Sequence, residues 1–135
     1  MRESYTILLA DDDPDDQELI LHAFAEVSTS FNLHIVHDGK EVIDFLASTS
    51  DNKLPCLIVL DYNMPELNGA QVLQKLTDNK RYEKIPKIIL STSGNPKYIQ
   101  DCLRKGANAY RVKPDSFVQL IGLAKEMLDM CGSAA

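Results

Sequence analysis

Five short apolar runs, each followed by a polar break and then an amphipathic stretch, constrain this chain more than any other feature. The strand-like runs read Ser4–Ala10, Leu33–His37, Cys56–Leu60, Lys87–Leu90 and Ala109–Val112. Strands alternating with helix-length segments predict βαβ units, a parallel sheet and an α/β fold. Near-continuous Ile, Leu and Val in the first, third and fourth runs predict burial on both faces, and the more polar second and fifth are expected at the edges. A chain of 135 residues suits one domain with a full core. No linker, repeat or low-complexity stretch divides it. The expectation is therefore a single domain over residues 1–135, ending after its last helix with no output domain.

The intervening segments carry their own stop and start signals. Asp13 can cap a first helix, Pro14 fits the first helical position, and Asp15 and Asp16 complement the positive end of the dipole. A second helix is predicted from about Lys40 to Ala47. A third follows Gly69, with Val72, Leu73 and Leu76 on one face. The fourth, Lys97 to Lys105, stops at Gly106 and offers only Ile99, Cys102 and Leu103 for burial, so it should be the least firmly anchored. The last carries a regular stripe of Phe117, Leu120, Ile121, Ala124, Leu128 and Cys131.

Charge and cysteine usage exclude several function classes. A net charge of −6 argues against general nucleic-acid binding, which needs a basic stripe. No apolar run approaches bilayer-spanning length, and Met1-Arg2-Glu3-Ser4 leads into a strand without a secretory h-region. A cytoplasmic location and no membrane partner are expected. Cys56, Cys102 and Cys131 are scattered without CxxC spacing, and each reads as a buried free thiol. His34 and His37 sit three apart on one predicted strand and face opposite sides, so they do not form a metal pair. His22 is expected on the surface.

The chemistry gathers at the strand ends. The first run ends in Asp11-Asp12-Asp13, the third in Asp61, the fourth in Ser91-Thr92-Ser93, and the fifth in Lys113-Pro114. Open α/β sheets bind ligands in the crevice outside the carboxyl ends of their strands. Asp13, Asp15 and Asp16 read as helix-start residues, which leaves Asp11, Asp12 and Asp61 to explain. Two carboxylates about 4 Å apart repel by roughly 4 kcal/mol at an effective dielectric near 20. Such a cluster calls for protonation or a cation. An all-oxygen donor set favours Mg²⁺, which keeps waters for phosphate oxygens. Lys113 suits either a salt bridge to Asp61 or a contact to a phosphoryl oxygen. Ser91 could cap its loop or donate to phosphate, and Tyr110 reads first as a half-buried core aromatic. Lys113-Pro114 directly after a strand makes a cis bond at Pro114 plausible.

Together these residues closely resemble the receiver domain of two-component response regulators, over essentially the whole chain. The resemblance rests on Ile7-Leu8-Leu9-Ala10-Asp11-Asp12, on Leu60-Asp61-Tyr62-Asn63-Met64-Pro65 with Asn68-Gly69, on Pro86 to Ser91, and on Gly106 to Pro114. It implies a flavodoxin-like doubly wound (βα)5 fold, with a five-stranded parallel sheet of order 2-1-3-4-5. Asp61 would be the phosphoacceptor, taking a phosphoryl group from a sensor histidine kinase or phosphotransfer protein. Mg²⁺ would be held by Asp12, Asp61 and the backbone carbonyl of Asn63, with Asp11 acting through water. Lys113 would contact the phosphoryl group. Ser91 would be the switch hydroxyl and Tyr110 the aromatic that turns inward, while Asn63 and Ser93 would tune dephosphorylation.

By the same resemblance the chain would be no turnover enzyme. Its readout surface would be the fourth helix, fifth strand and fifth helix, charged by Arg104, Lys105 and Arg111 and open to homodimer formation. The sequence names neither the cognate kinase nor the downstream target. Three alternatives compete. A haloacid-dehalogenase-like phosphatase would place its nucleophile on the first strand and need a later acidic pair and a cap segment. A flavodoxin-like flavin binder would need a hydroxyl- and glycine-rich loop where this chain has six acids. A pseudo-receiver used only for binding is disfavoured by the complete residue set.

Overall fold

The computed structural model describes residues 5–134, so Ser4, the expected first strand residue, lies outside them. Five parallel strands form one sheet: β1 (Tyr5–Ala10), β2 (Phe31–Val36), β3 (Leu57–Leu60), β4 (Lys87–Ser91) and β5 (Ala109–Val112). Their order is β2-β1-β3-β4-β5, which places β2 and β5 at the edges as their polarity predicts. Five helices cover the faces: α1 (Pro14–Val27), α2 (Gly39–Ala47), α3 (Gly69–Thr77), α4 (Pro96–Arg104) and α5 (Phe117–Ala134).

The pleat divides the core into two layers. Ile7 and Leu9 of β1 and Leu57 and Val59 of β3 pack against Ile20, Ala23 and Phe24 of α1 and Leu120, Ala124 and Met127 of α5. Leu8, Ala10, Ile58 and Leu60 point the other way, onto Val42 and Leu46 of α2, Val72, Leu73 and Leu76 of α3, and Cys102 of α4. Alternating side chains along doubly covered strands require this split.

Local signals set the helix ends. The Asp13 carboxylate accepts from the amides of Asp15 and Asp16, with Pro14 at the first helical position. Asn68 and Gln71 form a reciprocal capping box at α3. Gly106 follows α4 at φ +112°, a backbone region that disfavours side chains, and a Cβ there would strike the Thr77 hydroxyl.

Several expectations are corrected by the packing. Cys56 and Cys131 are bonded to each other as a disulfide, with Cα atoms 5.0 Å apart, and only Cys102 is a buried free thiol. The two lie 75 residues apart in sequence, and only the docking of α5 onto the β3 end of the sheet brings them together. Phe117 is exposed at the start of α5, and Met127 takes a buried place on that helix instead. α4 buries only Cys102, while Leu103 is exposed, so the expected weak anchoring is more pronounced than the sequence suggested. No cis peptide bond occurs among the described residues, so Pro114 follows a trans bond. X–Pro bonds keep a trans preference of about 0.5–1 kcal/mol. Lys113 is held by other means, its amide donating to the Ser91 carbonyl at 2.7 Å.

Candidate functional site

Backbone hydrogen bonds just past the ladders align the strand ends. The Asp11 amide donates to the Val36 carbonyl at 3.1 Å, and the Asp61 amide to the Ala10 carbonyl at 2.9 Å. Each carboxylate is thereby fixed beside a neighbouring strand terminus, at the crevice where such sheets bind ligands. The loop after β3 folds back tightly. Gly69 N–H donates to the Tyr62 carbonyl at 2.8 Å, and a Cβ on Gly69 would come within 2.7 Å of the Asp61 carbonyl oxygen. Glycine is required there by close approach, not by its dihedral freedom.

Asp11, Asp12 and Asp61 each present an oxygen, and the three oxygens lie within 4.8 Å of one another. Asp11 and Asp61 are buried and Asp12 is exposed. The Lys113 ammonium stands among the acids, donating to Asp11 Oδ2 at 2.8 Å, Asp16 Oδ2 at 2.8 Å and Asp61 Oδ2 at 3.1 Å. Burial raises the Asp11 carboxyl above its ordinary range, against the lowering effect of Lys113 and of the Asp13 amide. Burial alone would lower Lys113, but the hydrogen bonds it donates to Asp11 and Asp16 and the charges of Asp11 and Asp61 outweigh it and raise the ammonium pKa.

Ser91 is fully buried as the last residue of β4, and its hydroxyl oxygen accepts from the Ser93 amide at 3.3 Å. Tyr110 is buried on β5 and donates its phenol to the Ser93 carbonyl at 2.6 Å. Burial raises the Tyr110 phenol pKa. The Asn63 amide donates to Asp61 Oδ1 at 3.4 Å. Asp11, Asp12, Asp61 and Lys113 therefore meet in one cluster, while Ser91, Ser93 and Tyr110 form a separate hydrogen-bonded group at the end of β4.

Two participants escaped the sequence reading. Asp16 read as a helix-start acid, yet it is one of the three partners of Lys113. A signal was available: Asp16 lies four residues before buried Ile20, on the face of α1 that must look inward. The other is Tyr62, whose ring stacks on Tyr98 of α4. His34 stacks on Phe45, His37 meets Gln17, and His22 is exposed on α1.

A family model described as the response regulator receiver domain matches residues 7–125. The chain belongs to this family. Among solved structures it is similar to the phosphorylated cyanobacterial phytochrome response regulator RcpA, at 30% identity and a TM-score of 0.86 over 98% of this chain and 96% of that one. It is similar too to the Mn²⁺-bound form of response regulator Rcp1, at 28% identity and a TM-score of 0.78 over 90% of each chain. Among curated relatives, a chemotaxis protein CheY homolog of Campylobacter jejuni is 32% identical over 108 residues, covering 80% of each.

Receiver domains serve two-component signalling, generally without enzymatic turnover, and interact with histidine kinases or phosphotransfer proteins. They bind Mg²⁺ at an acidic pocket, and the oxygen donors of this receiver domain fit that ion: three converging carboxylates with no thiol or imidazole among them. No helix among the described residues is long and apolar enough to cross a membrane.

Proposed function

We propose that Asp61 accepts a phosphoryl group from a histidine kinase or phosphotransfer protein, and that the chain relays this as a change in a protein-interaction surface. The observation that carries the reading is the sharing of one lysine by Asp11, Asp16 and Asp61 beside the Asp11, Asp12 and Asp61 cluster. Three carboxylates on one ammonium, with Asp12 beside them, leave a net negative site that a dication can neutralise.

Asp12, Asp61 and the Asn63 carbonyl would hold Mg²⁺ directly, and Asp11 through water. When bound, the ion supplies charge neutralisation for phosphoryl oxygens. Asp61 is the nucleophile: a bond from its carboxylate oxygen to phosphorus forms as the bond from phosphorus to the donor histidine nitrogen breaks. The Lys113 ammonium is placed to follow the phosphoryl oxygens, its bond to Asp61 being the longest of its three. The new dianion draws the Ser91 hydroxyl, which disturbs the 91–93 turn to which Tyr110 is bonded.

Asn63 and Ser93 flank this path and would set the lifetime of the phosphoryl group. The readout surface is α4, β5 and α5, where Leu103, Val112 and Val118 are exposed apolar groups. Arg111 and Lys105 are already paired there, with Glu126 and Asp101, so apolar contact contributes more to that face than the sequence suggested. A homodimer through this face remains part of the reading.

Incubation with acetyl phosphate and Mg²⁺, followed by intact mass, tests the assignment. Wild type should gain one phosphoryl group and Asp61→Asn none. Absence of the gain in wild type, or an equal gain in both, would refute it.

A further inference from the structure

Tyr62 directly follows Asp61, and its ring stacks on Tyr98 with centroids 4.5 Å apart and planes 13° from parallel. The two sides of this contact are unequally secured. Tyr62 sits on backbone fixed by the Gly69-to-Tyr62 hydrogen bond and by the close approach of Gly69 to the Asp61 carbonyl. Tyr98 sits in the first turn of α4, a helix with one buried residue, Cys102, and a half-buried Ile99. Tyr98 and Cys102 are four apart on one side of α4, Cys102 buried and Tyr98 exposed apart from its stacked ring face. Tyr62 packs against the same core cluster as Cys102 and Ile99 of α4.

A stacked aromatic pair adds stabilisation beyond its buried area. On a well-packed helix it would be a minor addition, but here it is a large share of what holds the N-terminal half of α4. We propose that the Tyr62–Tyr98 stack is a positioning contact that ties the first turn of α4 directly to the loop carrying Asp61. It is a second connection beside the one through Ser91 and Tyr110, whose hydrogen bonds end in the loop before α4. Because the loop side is rigid, breaking the stack releases α4 and leaves the carboxylates in place. A helix released from its resting position opposes phosphorylation less, so loading of Asp61 becomes faster; this last step rests on the phosphoacceptor reading above.

Amide hydrogen exchange on the unphosphorylated full chain decides the contact. Tyr98→Ala and Tyr62→Ala should each speed exchange across residues 97–104 by about two- to tenfold, with α1 and α5 unchanged as folded controls. The double variant should exchange no faster than the quicker single one, and Tyr98→Phe should match wild type. Unchanged α4 protection in Tyr98→Ala, or effects that simply multiply in the double variant, would overturn the tie. With acetyl phosphate and Mg²⁺, Tyr98→Ala should gain its phosphoryl group about two- to tenfold faster than wild type, and equal rates would overturn the coupling to Asp61. If wild type gained no mass at all, the phosphoacceptor reading would fall, while the exchange cycle would still decide the stack.

Discussion

Asp12→Asn should make the protein more stable without a divalent cation and less stable with one. Among the clustered acids Asp12 is the one outside the Lys113 ion pairs, so its removal relieves repulsion and breaks no direct ion pair to that lysine. Its oxygen lies within 4.8 Å of those of both Asp11 and Asp61. Since Asp12 is exposed, a water-like dielectric applies, giving about 0.9 kcal/mol per pair at that separation and about 1 kcal/mol for both after salt screening. Urea unfolding in EDTA should show this gain for Asp12→Asn. Asp15→Asn, which lowers the same net charge outside the cluster, should show none, because Asp15 complements the α1 dipole.

Adding MgCl₂ should then reverse the order. A ligand at one-hundred-fold over its dissociation constant stabilises the native state by about 2.7 kcal/mol, and the variant, short of one carboxylate, should receive little of it. If Asp12→Asn is no more stable than wild type in EDTA, or if Mg²⁺ stabilises both alike, the idea of an under-neutralised carboxylate cluster fails.

Two further outcomes follow from other parts of the fold. Lys113 has a raised native pKa, so its stabilisation is fully present below about pH 10.5 and is lost as pH rises through the higher native value. Lys113→Met should therefore be less stable than wild type by roughly 3–5 kcal/mol near neutral pH, with the gap closing in alkaline urea titrations; a gap independent of pH would contradict this. The Cys56–Cys131 bond spans 75 residues, and in the chain-entropy account closing such a loop is worth about 4.5 kcal/mol at most. Dithiothreitol should lower the urea midpoint of wild type and leave Cys131→Ser unmoved, which unfolding curves with and without reductant will check.

What the sequence disclosed and what it hid separate along a physical line. Strand ends are local facts: an apolar run stops, a polar residue follows, and a parallel sheet must bring those stops to one edge. Asp11, Asp61, Ser91 and Lys113 were legible for that reason. So were the edges, because β2 and β5 carry polar residues that a doubly covered strand could not bury. Asp16, Tyr62–Tyr98 and Cys56–Cys131 depend instead on how helices dock over that sheet. Asp16 could have been found from its spacing to Ile20. The tyrosine pair and the disulfide had no sequence signal, since each joins segments whose approach is set by the core between them.

The ion set around Lys113 indicates which contact yields when charge arrives. Lys113 has three carboxylate partners at similar distances but very different burial, the side chains of Asp11, Asp61 and Asp16 being 1%, 10% and 29% exposed. Releasing Asp11 would strand an anion away from water, whereas Asp16 can recover hydration where it stands. In the proposed transfer Asp61 itself becomes the phosphoryl carrier, so Lys113 keeps a partner at that position. The low-cost rearrangement is then for the ammonium to let go of Asp16, hold Asp11, and turn toward the new oxygens above Asp61. On that proposed transfer Asp16 would be a resting partner whose charge keeps the lysine in the crevice and whose exposure lets it leave.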